Sequence, residues 1–261
     1  MKIDLHVHTE HSFDCRSSVE AVIQQAVETK LDAIAITDHD NMSAYGIAFQ
    51  KSEDKNLTVI PAMEITAEGG THVIGLFLQD EIVSRNIFDI IDEIHAQGGL
   101  VVIPHPFRPG TGLIFNKDSQ NIFSGEDISK ILSRVDLMEA VNYRCRSSEM
   151  VKIDKFLGFS PDIPHSAGSD AHFVEEVGKA YVELEKVKSN KLDDIKKALL
   201  ESPRIIRYEA FSVEGKRTVI ALKEDAVSKS ILSRTKNIIP KNIRDSIRSI
   251  FEKSIGRTPD I

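Results

Sequence analysis

Six of the nine histidines and three carboxylates of this 261-residue sequence fall in short polar motifs of the kind that hold divalent cations. His6 and His8 stand two apart in Asp4-Leu5-His6-Val7-His8-Thr9, and Asp14 follows in the next loop. His39 lies in Thr37-Asp38-His39-Asp40, Glu64 in Pro61-Ala62-Met63-Glu64, and His72 follows Thr71. His105 lies in Ile103-Pro104-His105-Pro106, while Asp170 and His172 close Gly168-Ser169-Asp170-Ala171-His172. Residues two apart in a strand share a face, so both imidazoles of the first motif can reach one ion. Taken alone, that HxH reads equally well as two exposed strand histidines, and Glu64 as a surface acid. Together the nine groups need a cation. Asp14, Glu64 and Asp170 would repel one another in a shared pocket, and two or three divalent ions neutralise them while using the imidazoles. Mixed nitrogen and oxygen donors without thiolate suit Zn, Mn or Fe(II). Asp38 and Asp40 are candidates to accept hydrogen bonds from ligand imidazoles and fix their tautomers. His95 sits in a helical pattern and is excluded, and His11 and His165, in loops near the ligand motifs, read either as contacts to a ligand residue or substrate or as plain loop residues, and are left unassigned.

Such groups must be brought together by secondary structure. Short apolar, β-branched runs at 3–7, 33–37, 57–61, 72–78, 100–104, 137–141 and 181–184 read as strands, most of them followed by a ligand-type residue. Helical patterns alternate with them. Ser17 and Glu20 form a capping box ahead of Val19, Val22, Ile23, Ala26 and Val27. Ile87, Ile90, Ile91 and Ile94 recur at helical spacing and stop at Gly98-Gly99, where a left-handed cap is easily made. Strands and helices repeated this closely suit a (β/α) barrel better than a doubly wound open sheet, and barrel sites lie at the C-terminal ends of strands.

A single α/β domain over 1–205 is expected, with an extension over 206–261. The net charge of −7 argues against a broad nucleic-acid-coating surface. Over 216–257, however, Lys and Arg outnumber Asp and Glu, and Ile243, Ile247, Ile250 and Phe251 trace an apolar helical stripe after Asn242. That stripe reads as a helix docked on the barrel or as a basic contact for nucleic acid, membrane or a partner. Met1-Lys2-Ile3-Asp4 opens no signal-peptide pattern, no apolar run reaches membrane-spanning length, and Cys15 and Cys145 lack metal or disulfide spacing. A cytoplasmic protein with free thiols is expected.

In this order the motifs resemble those of the PHP (polymerase and histidinol phosphatase) superfamily over about residues 1–205. The resemblance implies a distorted (β/α)7 barrel with a di- or trinuclear metal centre. It places one ion on His6, His8, Glu64 and Asp170, a second on Glu64, His72 and His105, and a third on Asp14, His39 and His172. Asp14 stands where trinuclear relatives often carry histidine. The implied activity is phosphoester hydrolysis on a small phosphorylated substrate, a nucleotide or a short nucleic acid. No side-chain nucleophile is required, because the attacking group is a metal-bound hydroxide, its parent water brought from a pKa of 15.7 toward about 7. Arg108, Arg144 and Arg146 follow strand ends and are candidates to clamp phosphate. The competing reading is a metal-stabilised binding module that acts through its basic tail on a nucleic-acid or membrane partner.

Overall fold

The structure, a computed structural model, describes residues 1–114, 123–146, 149, 150, 153, 163–211 and 217–224. Its strands are β1 (Lys2–Val7), β2 (Ala33–Ile36), β3 (Thr58–Thr66), β4 (His72–Leu76), β5 (Leu100–Ile103), β6 (Leu137–Asn142), β7 (His165–Gly168), β8 (Ala180–Leu184), β9 (Arg204–Phe211) and β10 (Arg217–Glu224). The helices are α1 (Val19–Glu28), α2 (Ala44–Ser52), α3 (Ile87–Ala96), α4 (Gly125–Leu132) and α5 (Leu192–Glu201). All ten strands form one sheet in the order β10-β9-β8-β1-β2-β3-β4-β5-β6-β7. Beyond β7 the chain returns to β1: Asp170 N donates to His6 O at 2.7 Å and His8 N donates to Ala171 O at 3.0 Å. The result is an α/β fold around a curled mixed sheet.

Helices cover the sheet where the apolar spacing dictates. Val19, Val22, Ile23 and Ala26 bury one face of α1 against Val7, Ile34 and Ile36. The cap is Ser18, one residue later than the sequence pattern suggests, accepting from Ala21 N. In α3 the four isoleucines Ile87, Ile90, Ile91 and Ile94 are all buried, and Gly98 takes the left-handed φ of +74° that ends the helix. The apolar run at 57–61 grows into a nine-residue strand, so Glu64 lies inside β3 rather than after it.

Two departures from a uniform alternation matter for the site. First, β4 pairs antiparallel with both β3 and β5, because Glu64 and His72 are joined by a short 3-10 turn (Glu68–Gly70) and no crossover helix. His72, at the start of β4, therefore opens at the same rim as the end of β3, with Thr66 paired to His72. Second, His165-Ser166-Ala167-Gly168 is a strand rather than a loop, although it has none of the β-branched residues that mark strands. The strand at β8 runs antiparallel to β1 and continues the sheet through β9 and β10, with β9 crossing position 205.

The apolar helical stripe expected over 242–251 lies outside the described residues. No helix among the described residues is long and apolar enough to cross a membrane. Both cysteines are free and buried.

Candidate metal centre

The curled sheet brings all nine ligand-type side chains to one rim, in groups whose donor atoms lie within 4.8 Å of one another: His6, His8 and Asp170; His6, Glu64 and His105; His39, Glu64 and His72; and His8, Asp14, His39 and His172. Backbone geometry aims several of them. His105 and Asp170 hold positive φ of 27° and 54°, a region L residues rarely adopt, directly after their strands. Gly168 lets β7 lie against β1: a Cβ there would overlap that of His6 and would sit 2.8 Å from Glu139 Oε1 and 3.0 Å from His6 N.

The donor spacing fits an ion. Ligands about 2.0–2.2 Å from a tetrahedral metal lie roughly 3.4 Å from one another. His6 Nε2 and His8 Nε2 lie 3.1 Å apart, and each lies 3.2 to 3.5 Å from both Glu64 Oε2 and Asp170 Oδ1. The two histidine nitrogens face each other at 3.1 Å, a gap that can share one proton but cannot hold one on each, whereas a cation between them satisfies both. Glu64 spans two groups. Its Oε1 meets His72 Nδ1 at 2.8 Å and His105 Nε2 at 3.1 Å, while Oε2 faces His6, His8 and, at 3.5 Å, His39 Nδ1. That His39 nitrogen is buried and makes no hydrogen bond. On the outer side Asp14 Oδ2 lies 2.9 Å from His172 Nε2 and 3.5 Å from His39 Nε2. His39 thus stands between two groups, and a neutral imidazole has one lone pair to give.

Electrostatics follow from burying so many charges together. Burial alone would push the carboxyl of Glu64 up, but His72 and His6 hold it well below the usual range. Burial is likewise overcome at Asp170 by His6, His8 and Arg108. Burial disfavours charge on His6, yet Asp170, Glu64 and Glu139 raise it well above 6.5, and hydrogen bonds to Asp170 and Glu64 carry His8 to about 9. At His39 and His105 burial wins, assisted at His105 by Arg108, and both fall to about 4. Without a cation the carboxylates of the rim thus favour a proton between His6 and His8.

Three residues without a place in the sequence reading support this rim. Glu139 on β6 is buried and accepts from His105 N at 2.7 Å and Asn142 Nδ2 at 2.9 Å, with Oε1 3.1 Å from His6 Nδ1. Asn142 also donates to Asp170 Oδ2 at 3.1 Å. Ser12 Oγ lies 3.2 Å from His8 Nδ1 and accepts from His39 N. A signal existed for Glu139, since a carboxylate inside an otherwise apolar strand requires polar partners once buried. Asp38 and Asp40 do not take the imidazole contacts expected of them: Asp38 accepts from Thr9 N and Thr9 Oγ1, both at 2.6 Å, and Asp40 accepts from Thr66 N and pairs with Arg85. Among the arginines, Arg108 reaches the rim, donating to Asp170 Oδ2 at 2.6 Å and Asn142 Oδ1 at 3.0 Å. Arg144 pairs with Glu176 at 3.1 Å, and Arg146 is exposed. His95 pairs with Asp136 away from the rim, and His11 meets Ser43 Oγ at 2.8 Å.

Comparison with known proteins agrees with this layout. An uncharacterized protein of Methanocaldococcus jannaschii is 31% identical over 196 residues, covering 75% of each chain. Among solved structures, the lesion-specific endonuclease PfuEndoQ of Pyrococcus furiosus aligns at a TM-score of 0.56 and 14% identity, covering 99% of this chain and 72% of its own. An amidohydrolase of Chromobacterium violaceum aligns at 0.54 and 17% identity, over 67% of this chain and 89% of its own. The fold is thus one shared by nuclease and hydrolase structures. The PHP domain family matches residues 4–242, a span that includes every side chain of the rim, and the chain belongs to that family.

Proposed function

We propose that this protein is a metal-dependent phosphoesterase that hydrolyses a phosphomonoester or a nucleotide-class ester with two or three ions of Zn, Mn or Fe. The observation that carries the reading is Glu64, whose two oxygens face different groups of imidazoles, an arrangement suited to neighbouring ions that share a carboxylate. His6, His8 and Asp170 would complete one position, His72 and His105 the next, and Asp14, His39 and His172 the outer one. Bound divalent ions supply a hydroxide nucleophile at neutral pH and stabilise the leaving oxygen. The chain's own part is positional. Glu139 and Ser12 orient His6 and His8, while Arg108 and Asn142 fix the second oxygen of Asp170. With one guanidinium nitrogen committed to Asp170, Arg108 has others available to a phosphate oxygen, with Arg144 and Arg146 further out.

The reading assigns the chemistry to a distorted (β/α)7 barrel over 1–205 and treats 206–261 as an extension, with β9 as the strand that joins them. A cytoplasmic location accompanies it, in keeping with two unpaired cysteines. The test is turnover of p-nitrophenyl phosphate and of nucleotides by purified protein loaded with Mn²⁺ or Zn²⁺. Phosphate release that disappears on chelation and returns with metal is expected. A fully loaded protein that turns over none of these esters would rule the proposal out.

A further inference from the structure

Two of the three strongly exposed phenylalanines among the described residues adjoin the outer metal group. Phe13 immediately precedes Asp14 and Phe173 immediately follows His172, and the Asp14 to His172 contact of 2.9 Å ties these two loops together. Phe13 is 83% exposed, more than any other large apolar residue described, and Phe173 is 60% exposed. The third, Phe49, lies on α2 beside Tyr45, outside the rim. A single exposed apolar side chain needs no explanation. Phe13 differs because its orientation is fixed by function-bearing neighbours: one face stacks on the His39 ring at 4.9 Å and 30°, which leaves the other face to solvent. The Phe173 loop is held as well, since Glu176 accepts from both His172 N at 2.9 Å and Phe173 N at 3.2 Å.

An aromatic ring pre-placed beside a rim that bound divalent ions would make phosphate-seeking suits a ligand that is anionic at one end and flat and aromatic at the other. We infer that Phe13, assisted by Phe173, is a specificity residue that stacks on the unpaired base of a nucleotide or single-stranded nucleic acid whose phosphate lies at the metal centre. This rests on the phosphoesterase reading and narrows it to substrates with a base. Stacking is tolerant of base identity, because every base offers a π face, so the preference is for a nucleotide over a sugar phosphate rather than for one sequence.

The test compares equilibrium affinity of the Mn²⁺-loaded protein for two non-hydrolysable probes, the 5′-phosphonate of adenosine and the 5′-phosphonate of ribose, by calorimetry. The adenosine probe is expected to bind roughly 5- to 150-fold more tightly. Phe13→Ala should remove most of that preference and Phe173→Ala part of it, while Phe13→Tyr should retain it. Equal affinity for the two probes in the parent protein, or an undiminished preference in both alanine variants, overturns the inference. Because the readout is binding, absence of turnover would count against the phosphoesterase reading without deciding the role of Phe13.

Discussion

At the residue scale, the proposed chemistry would depend on a carboxylate placed behind the candidate ligands. Glu139 ties two ligand positions together, facing the outer nitrogen of His6 and the backbone N–H of His105 with different oxygens. Such partners set which imidazole nitrogen keeps its lone pair for the metal. Glu139→Gln preserves size and packing but converts one of these acceptors to a donor that confronts an N–H. Metal affinity is expected to fall about 10- to 100-fold, as measured by competition with a chelator of known affinity. A variant that holds metal as tightly as the parent would remove Glu139 from this role. The nine ligand-type residues were legible in the sequence because they recur in short polar motifs beside apolar runs. Glu139 was not, since it stands alone between Met138 and Ala140, and only the fold brings it to His6, more than a hundred positions away. Asp38 shows the converse: adjacency to His39 suggested an imidazole contact, but its carboxylate turns to Thr9, whose N–H and hydroxyl both donate to it at 2.6 Å.

At the element scale, the placement of the rim depends on strand pairings that local sequence does not specify. The β-branched runs of β1, β2, β5 and β6 were legible, as was the isoleucine stripe of α3. The antiparallel direction of β4 and the existence of β7 were not, because direction follows from loop geometry and β7 is held by neighbours rather than by propensity. Within β7 the essential residue is Gly168, where the backbone passes against His6. Gly168→Ala would force β1 and β7 apart, a kind of overpacking that costs about 1–3 kcal/mol. For a domain of this size that corresponds to a Tm lowered by roughly 2–12 °C. Gly46 is the contrasting case, since it lies in α2 with no atom within 4 Å of an added Cβ, and Gly46→Ala should raise Tm slightly. Thermal melts of both variants decide the matter, and a Gly168→Ala protein that melts with the parent would show that the two strands do not press on each other as described.

For the whole molecule, the same rim sets folding stability against pH. In the metal-free protein His8 is carried from 6.5 to about 9 by its carboxylate neighbours, once burial has been overcome. A histidine raised in the folded state contributes stability that is complete below about pH 6.5 and is lost as pH rises through about 9. The metal-free fold should therefore weaken across that window, because Glu64 and Asp170 remain ionised while the compensating proton departs. Metal acts in the opposite sense, since its ligands must be deprotonated imidazoles and binding releases the proton that His6 and His8 hold. The gain in Tm on adding Mn²⁺ or Zn²⁺ should accordingly be small at pH 6 and grow toward pH 9. At free metal of about 100 times Kd each independent ion contributes about 2.7 kcal/mol, or roughly 5–10 °C. Calorimetry in buffers of different ionisation enthalpy should report proton release on binding at pH 7.5. A metal-induced shift in Tm that is flat or shrinking with pH, or binding without proton release, would mean that the carboxylates of this rim are not balanced by a proton held between His6 and His8 before metal arrives.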